Sequence, residues 1–372
     1  MTASLRRILA LVVKEFLALM KEPRSRFIII GPPIIQMLVF GYAATYDLSN
    51  VPYATYDEDR SAASRELLAD FAGSPTFRLA ASIDHHDDIR ELIVRRDVLL
   101  VVHVGPNFAR DALLGRGGAV QIVLDGRNSN TALIALGYAR QIVETFSARW
   151  AQRHGLGLPP ARLEPVAWYN PNLRSRWFFV PGVVAMLTLV VTVLVTGLSV
   201  AREREQGTFD QLLVTPLRPG EILLGKALPG FLIGIGEATV VILMAVLWFR
   251  VPLVGSLGVL YAGVAVFLAC AVGVGLMISS LAATMQQGLL GAFLFLVPSV
   301  ILSGFTTPIA NMPPLVQKLT LLNPLRYFLA ILRGVFLEGT PLSLLIHQFW
   351  PMALIAAVSL ALAAWLFRHR VY

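Results

Sequence analysis

The side chains best placed for chemistry lie in a charged stretch, Arg202-Glu203-Arg204-Glu205-Gln206-Gly207-Thr208-Phe209-Asp210-Gln211-Leu212-Leu213-Val214-Thr215-Pro216-Leu217, followed by Glu221-Ile222 and Gly225-Lys226. Gly225-Lys226-Ala227 is the nearest approach to a phosphate loop; read as lacking an upstream glycine at the right spacing and a Ser or Thr after the lysine, it gives no expectation of an ATP site. Asp57-Glu58-Asp59-Arg60-Ser61 and Asp84-His85-His86-Asp87-Asp88 are the other clusters. Adjacent His and Asp side chains do not converge on one ion, so the second reads as a solvated helix start. The first reads as a turn entering a helix rather than a catalytic carboxylate pair. Glu237 is the one acid inside a long apolar run, which makes it an intramembrane candidate. No Gly-x-Ser-x-Gly elbow or His-Glu-x-x-His appears, so hydrolase chemistry has no support and the chain does not read as an enzyme.

The elements that position these residues follow from composition. The chain is 372 residues long, 56% hydrophobic and 15% charged, too apolar for a soluble domain. Its single cysteine, Cys270, excludes an internal disulfide and a cysteine-based zinc site. The formal net charge is +8, but the basic residues flank apolar runs and form no patch interleaved with aromatics, so no nucleic-acid partner is expected. A bilayer core needs roughly 20 apolar residues per helix. Six segments qualify: Phe27–Ala44, Trp177–Val200, Ala227–Phe249, Ser256–Ala283, Gly288–Ile309 and Phe349–Phe367. The fifth, with Pro298 and Gly304, is expected to bend.

Basic residues set the orientation. Arg6, Arg7, Lys14, Lys21, Arg24 and Arg26 precede the first segment, Arg202, Arg204, Arg218 and Lys226 lie between the second and third, and Arg368 and Arg370 follow the last. Both termini and the 201–226 loop are therefore expected in the cytoplasm. Residues 1–26 lack the pattern of a cleaved signal peptide. Leu5, Ile8, Leu9, Val12, Phe16 and Leu19 recur at helical spacing against Arg7, Lys14 and Lys21, which predicts an amphipathic helix in the cytoplasmic interface. After the first span, 27–45, residues 46–176 carry most of the acids and no lysine. The runs Val51–Tyr56, Val98–Val104 and Gln121–Leu124 alternate with helical stretches near Ala62–Phe71 and Thr131–Arg153, predicting an α/β domain outside the cytoplasm.

In the loop, the charged helix end breaks at Gly207, and a short helix capped by Thr208, with Asp210 in its first turn, is expected to present Phe209, Leu212 and Leu213 before Pro216 stops it. Such a helix suits a groove on a cytosolic partner or the membrane surface.

The stretch Glu203 to Lys226 resembles the signature of type-2 ATP-binding-cassette (ABC) exporter permeases. So do Asp57-Glu-Asp-Arg-Ser-Ala-Ala-Ser-Arg-Glu-Leu, Ile278-Ser-Ser-Leu-Ala-Ala-Thr-Met-Gln-Gln, Ser303-Gly-Phe-Thr-Thr-Pro-Ile-Ala-Asn-Met-Pro-Pro, Asn323-Pro-Leu-Arg-Tyr-Phe and Arg333-Gly-Val-Phe-Leu-Glu-Gly. Met285 stands where the subgroup with one large external domain, often multidrug efflux permeases, has Gln. The resemblance implies a mainly α membrane protein with six transmembrane helices, an N-terminal interfacial helix, an inserted extracytoplasmic α/β domain, and re-entrant helices over 303–341 within the membrane part 177–372. It implies a bacterial inner-membrane permease that exports a hydrophobic or amphipathic substrate. The coupling helix would engage a separate cytosolic ABC ATPase through Glu203, Glu205, Gly207, Thr208, Phe209, Leu212 and Pro216. ATP and magnesium would be bound by that ATPase and no cofactor by this chain. A second permease chain and membrane lipids complete the expected partners, and the external domain could dock a periplasmic adaptor. Two other readings remain open at this point. One is a proton-coupled transporter using Glu237; the other is a receptor or scaffold with a ligand-binding external domain.

Overall fold

A computed structural model describes residues 3–21, 23–43, 48, 50–127, 129–156, 174–209 and 217–371. The chain divides into two compact units, Met1–Ala44 with Ala167–Tyr372, and Thr45–Val166.

The first unit is helical. It begins with α1 (Ala3–Lys21) and α2 (Pro23–Ala43), and resumes with α7 (Ser175–Gly197) and α8 (Ser199–Glu205). Then come α9 (Pro219–Leu243), ending in a π turn at Met244–Trp248, α10 (Leu257–Leu281), α11 (Met285–Ile301), α12 (Pro314–Leu319), α13 (Pro324–Arg333) and α14 (Leu342–Val371). Among the described residues four helices are long and apolar enough to cross a membrane: Ser175–Glu205, Pro219–Trp248, Leu257–Leu281 and Leu342–His369. The segments Pro314–Leu322 and Pro324–Glu338 pass the same test only as a pair, and they are bent by 83° at Asn323. The first and fifth expected spans are helices with shorter apolar stretches, Ile30–Tyr42 and Met285–Ile301. The fifth, expected to reach Ile309, stops at Ile301: Leu302 caps it, and Gly304 turns into the left-handed region at φ +82°, open to glycine but strained for other residues. Proline at the start of α13 removes no needed donor, and the Asn323 side chain accepts from Leu325 N at 3.1 Å to close the break.

The core of this unit is built from α7, α9, α10, α13 and α14, with Val183, Leu187, Val241, Phe267, Phe328 and Met352 among its buried members. Phe267 stacks on Phe328 with centroids 4.1 Å apart. Small residues let backbones approach: a Cβ at Gly273 would come within 2.9 Å of Leu360 N, so α10 and α14 lie nearly in backbone contact.

The second unit is an α/β domain with sheet order β2-β1-β3-β4. The strands are β1 (Val51–Asp57), β2 (Phe77–Ile83), β3 (Leu100–Val104) and β4 (Val120–Leu124); β1 is parallel to β2 and β3, and β4 antiparallel to β3. The helices are α3 (Ala62–Ala72), α4 (Asp87–Arg95), α5 (Phe108–Leu113) and α6 (Ser129–Arg153). Tyr53, Leu100 and Val102 pack with Phe71 and Phe146, while Ala54, Tyr56 and Val101 pack with Ile89. α4 begins where the sequence indicated a solvated helix start at Asp84–Asp88, whereas β2 and α5 have no counterpart in the sequence reading; β2 exposes most of its residues and lacks a continuous apolar run.

Candidate functional site

The Asp57–Leu67 motif is structural. Asp57 Oδ1 accepts from the backbone of Asp59 at 3.1 Å and Arg60 at 3.0 Å, Ser61 caps α3 by accepting from Ser64 N, and Ser64 Oγ donates to Asp57 Oδ2 at 2.8 Å. The Asp57 carboxylate is spent on turning the chain, while Glu58 accepts from Tyr56 Oη at 2.7 Å and Asp59 Oδ2 accepts from Ala109 N at 3.1 Å. His86 precedes α4 without a side-chain capping bond and lies against the rings of Tyr56 and His103.

The loop after α8 is organised differently. Gly207 takes φ +68° and closes α8 in a Schellman turn: Thr208 N donates to Glu203 O at 3.0 Å and Gly207 N to Arg204 O at 3.1 Å. The Thr208 hydroxyl also reaches back to Glu203 O at 3.4 Å. The helix expected beyond it, with Leu212 and Pro216, falls at residues 210–216, outside the described residues.

α8 is tied along its length to the end of α10 and to the turn between α10 and α11. Ser279 Oγ accepts from Val200 N at 2.9 Å, Arg204 donates to the carbonyls of Ser280 and Ala282 at 3.1 and 3.0 Å, and Glu205 Oε2 accepts from Met285 N at 2.7 Å. Glu205 thus satisfies a donor at the N-terminus of α11, where the helix dipole favours a negative charge.

On the opposite side lies a buried charge network. Lys226 of α9 places Nζ 2.5 Å from Glu203 Oε2 and 3.3 Å from Glu15 Oε1, with none of its side chain exposed. Lys14 Nζ reaches Glu203 Oε1 at 2.7 Å. One turn toward the start of α9, Glu221 receives Ser4 Oγ at 2.6 Å, Arg7 Nη2 at 3.1 Å and Arg218 N at 3.0 Å. Burial pushes the Glu15 carboxyl up despite Lys226, while Lys14 is held up against its own burial by the hydrogen bond and charge of Glu203. The charged face of α1 therefore points into the protein, and Leu5, Leu9, Val13 and Phe16 are left exposed on the other side.

An apolar cluster lies beside these charges. Phe209, only 5% exposed, gathers with Leu11, Val200, Ile222 and Phe367, from α1, α8, α9 and α14. Its ring meets Phe367 edge to face at 6.2 Å and carries the Arg204 guanidinium 5.6 Å from its centroid. Gly225 faces Leu11 with no space for a Cβ, so α1 and α9 are in close contact.

Of the residues expected to couple, Glu203, Glu205, Gly207, Thr208 and Phe209 come together here. Glu15 and Lys226 are the functional candidates that sequence reasoning missed: by sequence Lys226 reads as a flanking base of the third span, and Glu15 is not singled out. Gly220-Glu-Ile-Leu-Leu-Gly225-Lys226 does carry phosphate-loop glycine spacing, but it lies inside α9 with the lysine fully buried, so it cannot cradle a phosphate. Glu237 is not part of this site. It is 7% exposed on α9, facing Thr188 of α7 without a completed hydrogen bond.

Residues 23–365 match the family model described as ABC-2 family transporter protein. The chain belongs to the ABC-2 transporter family. It is 39% identical over 368 residues to "Probable multidrug ABC transporter permease YbhR" of Escherichia coli (strain K12), covering 98% of this chain and 99% of that one. It is 32% identical to "Probable multidrug ABC transporter permease YbhS" of the same strain, over 94% of each chain. With "Inner membrane transport permease YhhJ", also of that strain, it shares 28% identity over 99% of this chain and 98% of the relative. As an ABC-2 member the chain is a multi-pass membrane permease, a transport subunit rather than an ATPase, and it works with an ABC ATPase subunit.

Proposed function

We propose that this ABC-2 permease exports a hydrophobic or amphipathic compound from the cytoplasm or inner leaflet of a bacterial inner membrane. Both termini and the loop after α8 lie in the cytoplasm, the Thr45–Val166 unit lies outside, and the bent pair Pro314–Glu338 dips into the membrane from that side. Six crossings are completed by α2 and α11. Two permease chains, identical or sister, pair around the path, and exposed Leu290, Phe293, Leu294 and Val297 along α11 supply an apolar face for lipid or the second chain. Two cytosolic ATPases, holding ATP and magnesium, press on the loop at 203–221. A periplasmic adaptor is a further partner for the external unit.

The observation that carries the coupling role is the junction at the loop's base. Phe209 is buried among α1, α8, α9 and α14, and Glu203 is ion-paired to both Lys14 and Lys226. A push on the loop is therefore delivered to four helices at once, because charged and apolar contacts leave no slack between them. The test is reconstitution of the permease with its ATPase in lipid nanodiscs and a screen for compounds that stimulate hydrolysis. Gly207→Pro and Phe209→Asp are expected to abolish stimulation or ATPase binding. Wild-type binding and stimulation in both variants would remove the coupling role.

A further inference from the structure

The seam between α7 and α9 holds an unpaired polar cluster that the coupling role does not use. The two helices meet antiparallel in three successive rungs: Thr196 with Gly230, Thr192 with Gly234, and Thr188 with Glu237. In the first two, glycine lets the threonine close onto the opposite backbone; a Cβ on Gly234 would lie 2.7 Å from Thr192 Oγ1 and 2.5 Å from Leu268. The third rung has a carboxylate in place of glycine. Thr196 donates to Thr192 O at 2.6 Å, the usual way a helix threonine satisfies itself. Thr188 and Thr192, both fully buried, do not, and among the described residues neither oxygen of Glu237 completes a hydrogen bond, although Thr188 is close enough to act on it. No cationic side chain acts on Glu237 among the described residues.

We propose that Glu237, with Thr188 and Thr192, is a recognition site for the positive charge of a lipophilic monocation. This deepens the exporter reading above, on which its link to transport rests. An unpaired carboxylate at membrane depth is costly, and a bound cation offsets that cost where the chain provides none. When ionised, Glu237 supplies one negative charge, which balances a single positive charge; a divalent ion would be left half-neutralised. Its surroundings are apolar, with Val184, Val241 and Leu268 in the adjoining core, so the rest of the ligand must be apolar too.

The test uses tetraphenylphosphonium and tetraphenylborate, which share an apolar shell and differ in charge, with the purified full-length permease in nanodiscs. Binding in excess of that to empty nanodiscs is expected to be greater for the cation than for the anion. Glu237→Gln is expected to raise the half-saturating cation concentration about tenfold or more. The double variant Thr188→Val/Thr192→Val is expected to raise it about threefold; it decides the matter by the same readout if Glu237→Gln fails to assemble. Equal binding of both ions by the wild type, or variants that bind the cation like the wild type, overturns the site. Stimulation of the partner ATPase separates the two claims. Cation binding through Glu237 without any stimulation sinks the exporter reading and leaves the site. Stimulation that answers to Gly207→Pro while Glu237→Gln binds normally does the reverse.

Discussion

Lys226 and Glu203 sit 2.5 Å apart, Nζ to Oε2, with the lysine side chain sealed from solvent. The pair joins the base of α9 to the last turn of α8, and Glu15 brings α1 to the same lysine. Two positive and two negative side chains, Lys14, Lys226, Glu15 and Glu203, balance one another, which allows Lys226 and the two carboxylates to be withdrawn from solvent while Lys14 stays half-exposed.

Removing one member should therefore do more harm than losing a contact. Lys226→Met leaves Glu15 and Glu203 facing each other with only Lys14 between them, a loss of about 3–5 kcal/mol. Thermal unfolding of the detergent-solubilised chain is expected to drop clearly, and Glu15→Gln added to Lys226→Met should recover part of the drop. An unchanged melting temperature in the single variant would mean the network adds nothing.

Gly207 holds φ +68°, and no atom of the described residues crowds its missing side chain. The cost of Gly207→Ala is thus conformational alone, about 1–2 kcal/mol. The variant is expected to fold, to bind the ATPase, and to show reduced substrate-stimulated hydrolysis; Gly207→Asn, which tolerates the left-handed region, should lose less. The order of the two, measured as the stimulated rate, checks the turn geometry.

Phe209→Ala empties a site shared by four helices and removes the edge contact with Phe367 and the Arg204 contact. About 3–5 kcal/mol is the expected loss. Phe367→Ala should behave alike, and the double variant should lose less than the sum, because each single change already breaks the shared contact. A double-mutant cycle on unfolding midpoints measures this.

In the Thr45–Val166 unit, hydrogen bonds from Arg127 hold the Asp125 carboxyl down to about 2, and Arg127 also donates to Ile93 O at 2.6 Å. A carboxylate with a folded-state pKa below its unfolded value, about 3.9, contributes stability above that value and loses it as pH falls toward 2. Unfolding of the full-length protein followed by hydrogen exchange on β4 and α4 should show weakening between about pH 4 and pH 2. Asp125→Asn is expected to remove that slope and to lower protection of β4 and α4 at neutral pH, where the wild-type contribution is fully present.

Much of the helical frame was legible because its physics is local. Runs such as Trp177–Val200 and Ser256–Ala283 must be helical if they enter lipid, and their composition alone says so. Ser61 capping α3 and Gly207 ending α8 follow from preferences that act within one turn of chain. Where a local signal was ambiguous the reading slipped: Gly304, not Ile309, marks where the fifth apolar helix has been left behind, and the exposed strand β2 carries no apolar run to betray it.

By itself, the sequence determined a membrane-embedded, mainly helical chain, an amphipathic α1, an inserted α/β segment, and the identity of the loop residues Glu203 to Phe209. Only the tertiary structure decided which of those residues act together. Lys226 meets Glu15 across 211 positions and Lys14 meets Glu203 across 189, and no periodicity links residues that far apart. The same holds for the seam, where Thr188 faces Glu237 only because Gly230 and Gly234 set the distance between α7 and α9. Hydropathy and capping are decided within a turn or a span, whereas ion pairing and helix register depend on how separate spans pack.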